Sequence, residues 1–83
     1  PTIVQRADGS WLVAGWMPAD EFRDALGVQL PGDDYDTVAG LLLSIMQRLP
    51  ELGEVATLGD WRLEVVDLDG RRIDKVLVSR MRD

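Results

Sequence analysis

Asp33, Asp34 and Asp36 form the densest cluster of hard oxygen donors in the chain, the kind of set that Mg²⁺ or Ca²⁺ takes in a flexible loop. Their spacing completes no EF-hand-type cation loop, because the turn glycine and the closing bidentate glutamate do not fall at the required offsets. The plainer reading is a solvated acidic loop in which Asp36 caps a following helix. Arg71 and Arg72 sit at a hairpin corner, where guanidinium groups could take a phosphate or carboxylate bidentately. Asp67, Asp69 and Asp74 are close in sequence, so local pairing at a solvated turn is the simpler expectation for both arginines. Trp11, Trp16 and Trp61 offer flat faces to a flavin or adenine ring, but core anchoring is the expected use, above all for Trp61.

Several chemistries are excluded outright. The chain has no cysteine and no histidine, which removes disulfides, thiol nucleophiles, imidazole bases and Cys/His zinc sites. Ser10, Ser44 and Ser79 therefore have no imidazole to activate them, and catalysis is not expected. The glycines form neither a dinucleotide-binding turn nor a phosphate loop. Nine basic against fifteen acidic side chains give a net charge of −6, the wrong sign for nucleic acid. The charge is uneven: positions 1–60 hold three basic and ten acidic groups, while positions 61–83 hold six and five.

The elements that position these residues follow from pattern. Eighty-three residues make one domain with one modest core. Thr2–Arg6 and Trp11–Trp16 read as strands joined through Asp8-Gly9-Ser10, where glycine suits a tight turn. Pro18, Asp20 and Glu21 open a short helix carrying Ala19, Phe22, Ala25 and Leu26, with Gly27 as its left-handed cap. Val28 to Tyr35 reads as a loop in which Val28 and Leu30 point inward. A second helix should run from Thr37 to Leu49 and stop before Pro50. Its apolar residues Val38, Ala39, Leu41, Leu42, Leu43, Ile45, Met46 and Leu49 span an arc of roughly 200°, more than one sheet face covers. The first helix or a second chain must take the rest. Gly40 lies opposite that arc, either as a close backbone approach or as a glycine tolerated in a packed helix.

After a turn at Glu51–Glu54, Val55–Leu58 reads as a strand, and Trp61, Leu63 and Val65 mark the apolar face of the next. Asp69-Gly70 turns the chain back. Ile73 is out of phase with Val76 and Val78, so a β-bulge near Asp74-Lys75 is required to bring all three to one face. The order β-β-α-α-β-β-β predicts an α+β fold with a mixed or mostly antiparallel sheet and both helices on one face. The final strands should pair with the first to close an exposed edge. The apolar run at Leu41–Leu43 is far short of the roughly 20 residues that cross a bilayer. The chain opens at Pro1 rather than methionine, as a fragment of a longer protein would.

Four segments in this order, Asp8-Gly9-Ser10-Trp11-Leu12-Val13-Ala14-Gly15, Tyr35-Asp36-Thr37-Val38-Ala39-Gly40, Leu49-Pro50-Glu51-Leu52-Gly53-Glu54 and Asp69-Gly70-Arg71-Arg72-Ile73, resemble the transporter-associated domain of the CorC/HlyC family. The resemblance runs almost end to end, with Trp61 where the family commonly has a less bulky aromatic. It implies a regulatory domain at the carboxy terminus of a hemolysin-like membrane protein, on the cytoplasmic side, following a membrane domain and a CBS pair. It further implies a link to magnesium and cobalt efflux and a fold like part of an FAD-binding domain. By the same resemblance, Asp36, Thr37 and Gly40 match the helix-start motif, and Pro50, Gly53, Arg71 and Arg72 match the turn and hairpin motifs.

The expectation is thus a non-catalytic module that modulates ion transport by packing against neighbouring domains or as a homodimer. The alternative is a sensor for a flavin such as FAD, an adenine nucleotide, or Mg²⁺ or Ca²⁺ at Asp33, Asp34 and Asp36.

Overall fold

Alternation of apolar and polar residues builds an antiparallel sheet, and helical periodicity in the insert lays two helices on it. The computed structural model describes residues 1–81. The strands are Ile3–Gln5 (β1), Trp11–Ala14 (β2), Val55–Leu58 (β3), Trp61–Asp69 (β4) and Arg72–Arg80 (β5); the helices are Ala19–Leu26 (α1) and Val38–Met46 (α2). The five strands lie in the order β1-β2-β5-β4-β3, every neighbouring pair antiparallel. As expected, β5 closes the edge of β2, so the amino-terminal hairpin and the carboxy-terminal meander form one sheet.

The inner sheet face carries Val13, Leu63, Val65, Val76 and Val78, all without solvent exposure. Phe22, Val38, Leu41 and Leu42 complete the core from the helices, and each such side chain contributes about 1.5–3 kcal/mol by leaving water. Trp61 joins this core, half-buried Trp11 tilts against it at 5.9 Å between ring centroids, and the Arg80 guanidinium covers it at 4.8 Å. Val28 is buried and Leu30 packs on the core, as the loop reading required.

The expected bulge is present, and it has a counterpart. Val65 pairs with Val76, Asp67 with Lys75 and Leu68 with Ile73, so Val66 of β4 and Asp74 of β5 have no partner. Each extra residue advances the pleat by one. Ile73 thereby shares a face with Val76, and Leu68 reaches the core after Val65.

Strand β1 keeps only Ile3–Gln5 of the expected Thr2–Arg6, and three further features differ from expectation. Strand β2 stops at Ala14 and leaves Trp16 outside it. The cap of α2 is Thr37, whose hydroxyl accepts from the Gly40 N–H at 3.1 Å, whereas Asp36 is exposed and uses its backbone carbonyl to accept from Ala19 at 2.8 Å. Helix α2 ends at Met46 rather than Leu49, because Gln47 turns left-handed at φ +62°. Its side chain donates to the Ser44 carbonyl at 2.7 Å, giving that acceptor at the helix end a partner. Leu49 and Pro50 then fold back onto the body. A further pair escaped the sequence reading: Arg48 grips both carboxylate oxygens of Glu54, and that hydrogen bonding holds the Glu54 carboxyl at about 2.

Candidate functional site

Gly15 is where the sheet, the bulge and the second helix meet. Its N–H donates to the carbonyl of bulged Asp74 at 2.8 Å, and its own carbonyl accepts from Ala39 in the first turn of α2 at 2.8 Å. A Cβ at this position would lie 1.9 Å from the Ile73 carbonyl oxygen, so only glycine allows β2 to run this close to β5. Met17 adds a third tie by accepting from the Val38 N–H at 3.0 Å. The free N–H groups that begin α2 are thus taken up within the chain at Met17, Gly15 and Thr37.

Over this junction lies a groove of about 210 Å³. Ala39 and Gly15 line it together with Trp16, Leu43, Arg71 and Arg72. Trp16 is 60% exposed and Leu43 40% exposed. The core-anchoring expectation therefore fails for Trp16, which also borders a hollow on the open sheet face beside Val4 and Leu12. Leu43 is the part of the wide apolar arc that neither the sheet nor α1 covers.

Two of the three expected partners of Arg71 and Arg72, Asp67 and Asp74, are taken by another residue. Lys75 reaches Asp74 at 2.9 Å and Asp67 at 3.6 Å. The Lys75 ammonium, with Asp67 second, holds the Asp74 carboxyl below its ordinary range. Among the described residues neither arginine makes an ion pair or a side-chain hydrogen bond. Two guanidinium groups are therefore left at the groove beside two exposed apolar side chains.

The other singled-out residues fall elsewhere. Asp33, Asp34 and Asp36 are exposed, and among the described residues no three acidic groups are placed to share a cation. Asp34 accepts weakly from Ser44 at 3.4 Å, and Tyr35 closes the loop by donating to the Pro31 carbonyl at 2.6 Å. Desolvation, then Asp34 and Asp33, raises the Tyr35 hydroxyl above its usual value. Gly40 lies against Tyr35, whose Cβ would be 3.2 Å from an added Cβ, a tight contact rather than an outright clash. Pro50 and Gly53 shape the turn into β3, where Gly53 donates to Val65 at 2.7 Å. The structure thus brings Thr37, Arg71 and Arg72 into one groove and leaves Pro50 and Gly53 outside it.

Trp16 was legible as an outlier: it has the parity of Leu12 and Ala14, opposite to the inward Val13. Leu43 follows Ala39 by four residues at the edge of the helical arc, where coverage ends first.

A five-stranded antiparallel sheet with two helices and a groove at its bulged corner defines a small α+β domain. Residues 4–82 match the family model described as the transporter associated domain CorC_HlyC, and the chain belongs to that family. The transporter associated domain of a *Xylella fastidiosa* hemolysin, solved in complex with Mg²⁺ and Mn²⁺, is 43% identical, with 99% of this chain and 100% of that one covered at a TM-score of 0.90. The CorC_HlyC domain from *Nitrosomonas europaea* is 32% identical at a TM-score of 0.89, with 96% of each chain covered. Among longer proteins, the UPF0053 protein sll0260 of *Synechocystis* is 38% identical over 98% of this chain, and the polyamine export protein of *Salmonella typhimurium* 33% over 95%. The chain spans 19% and 18% of their lengths.

Proposed function

We propose that this domain is a non-catalytic regulatory module of a longer transport protein, packing through the Trp16 groove against its neighbours. In that reading the neighbours are a CBS pair and a membrane domain, the module lies on the cytoplasmic side, and it modulates the movement of divalent cations such as magnesium or cobalt. The observation that carries it is the convergence of exposed Trp16 and Leu43 with the unpaired Arg71 and Arg72 on a rigidly tied junction. Family membership and the small share of the longer relatives that the domain spans support the same reading. Its test is ion flux through the longer protein carrying Trp16→Ala or the pair Arg71→Glu and Arg72→Glu. Altered flux at unchanged protein level is expected; wild-type flux from both variants would remove the proposal.

A second reading, divalent-cation sensing, is favoured by the *Xylella* domain, which was solved with Mg²⁺ and Mn²⁺. Asp33, Asp34 and Asp36 are the candidate donors, although their exposure favours only weak binding. Calorimetry with MgCl₂, MnCl₂ and competing CaCl₂ decides it, and heats unchanged in Asp34→Asn would refute the assignment. The same titration with FAD, AMP and ATP tests a flavin or adenine ligand, for which Trp16 supplies the exposed indole.

A further inference from the structure

We infer that the groove takes an acidic segment bearing one large apolar side chain, supplied by the remainder of the same longer polypeptide. This rests on the regulatory reading above and gives the chemistry of its contact.

Volume narrows the occupant first. About 210 Å³ is below the roughly 300–1,000 Å³ of small-molecule sites and suits a single inserted side chain. The lining sets the chemistry of that side chain and its flanks: Trp16, Leu43 and Ala39 give an apolar seat, and Arg71 and Arg72 stand at the same groove. Asp74, the one acidic lining residue, is held first by Lys75 at 2.9 Å, with Arg72 adding a weaker attraction at longer range. The groove therefore presents two guanidinium groups that make no direct ion pair, on a molecule of net charge −6. The pull on an anion there belongs to the arginines alone, because the N–H groups opening α2 are already bonded to Met17, Gly15 and Thr37. Guanidinium groups in this state pair with carboxylates in short, charge-assisted bonds.

The surroundings favour a narrow polypeptide over a broad anionic surface. Thr37 lines the groove, and the exposed acidic loop Asp33, Asp34 and Asp36 leads directly into it. A flat anionic bilayer approaching the arginines would also meet those exposed carboxylates, whereas a segment one chain wide presents far less negative surface to them. The longer relatives, of which this domain spans less than a fifth, supply ample chain from which such a segment can come.

The domain can be tested alone, since the *Xylella* domain was solved at this length. The probes are two capped peptides, acetyl-GEEFEEG-amide and its neutral counterpart acetyl-GQQFQQG-amide, titrated into the ¹⁵N-labelled domain. Expected are shifts at the Trp16 indole and at Gly15, Ala39 and Arg72, with a dissociation constant below about 1 mM. Binding should weaken about tenfold or more for the neutral peptide and be lost in the Arg71→Glu, Arg72→Glu variant, whose fold is checked by circular dichroism. No shift at about 2 mM acidic peptide, equal binding of the neutral one, or shifts confined to another face would overturn the inference. Sedimentation with phosphatidylserine vesicles that depends on both arginines would reassign the groove to lipid. A dimer abolished by the same variant would reassign it to a second copy. If the peptide fails while the variant still alters flux in the longer protein, the regulatory reading survives and the acidic occupant does not.

Discussion

Replacing Gly15 by alanine should unfasten the junction on which the groove is built. The added Cβ would sit 1.9 Å from the Ile73 carbonyl oxygen and 2.9 Å from its carbon, both backbone atoms that no rotamer change can move. A carbon–oxygen contact needs about 3.3 Å, so β2 and β5 must part locally by about 1.4 Å. Overpacking of this kind costs about 1–3 kcal/mol. The hydrogen bonds from Gly15 to Asp74 and from Ala39 to Gly15, both 2.8 Å, are put at risk at about 0.5–1.5 kcal/mol each. The loss is then about 2–6 kcal/mol, against a total of about 4–12 kcal/mol for a domain of this size. Urea unfolding should show it as a lower midpoint at unchanged slope, and heating as a midpoint at least about 8 °C lower. Gly53→Ala is the control: its φ is +89° but nothing lies within 4 Å of the added Cβ, so it should cost about 1–2 kcal/mol of backbone strain only. A Gly15→Ala protein as stable as the parent, or no less stable than Gly53→Ala, would refute the close approach.

Thr37→Ala should cost about 1 kcal/mol in denaturant unfolding through loss of the α2 cap, whereas Asp36→Ala should change little, since Asp36 contributes its backbone carbonyl. Trp61→Ala should cost about 3–5 kcal/mol, while Trp16→Ala should stay within about 0.5 kcal/mol, as befits a side chain outside the core; equal losses would contradict the different burial of the two indoles. Acid should destabilise the domain with a defined sign. Glu54 has a folded value of about 2 against an ordinary 4.5, so its contribution is complete above that ordinary value and is lost as pH falls towards 2. Asp8 and Asp74 are shifted in the same direction, Asp8 by the Ser10 hydroxyl and Asp74 by Lys75. Glu54→Gln should flatten the acid limb of a stability–pH curve, and an unchanged limb would exclude the Arg48 pair as its source.

Period-two and helical patterns made the β-β-α-α-β-β-β order and the inward faces of β4 and β5 readable. The β5 bulge was readable because Ile73 lies three residues from Val76, an odd spacing that a regular strand cannot reconcile. Its counterpart at Val66 carried the same signal in the spacing of Val65 and Leu68, masked there by the adjacent apolar pair Val65-Val66. The end of α2 was not readable, because Gln47 adopts a left-handed conformation more usual for glycine or asparagine. The groove was half legible: Arg71 and Arg72 stood out by charge, yet their freedom depends on Lys75 claiming Asp67 and Asp74 across a bulge, a choice made in space. Trp16 was assigned to the core by residue type, although its parity placed it outside.

The central claim, that the Trp16 groove is a contact surface within a longer transport protein, is tested most directly by photocrosslinking. Trp16→benzoylphenylalanine in the longer protein, followed by irradiation and mass spectrometry, should yield crosslinks to the same polypeptide outside this domain, suppressed by Arg71→Glu and Arg72→Glu. Crosslinks absent from position 16, or unaffected by loss of the two arginines, would contradict it.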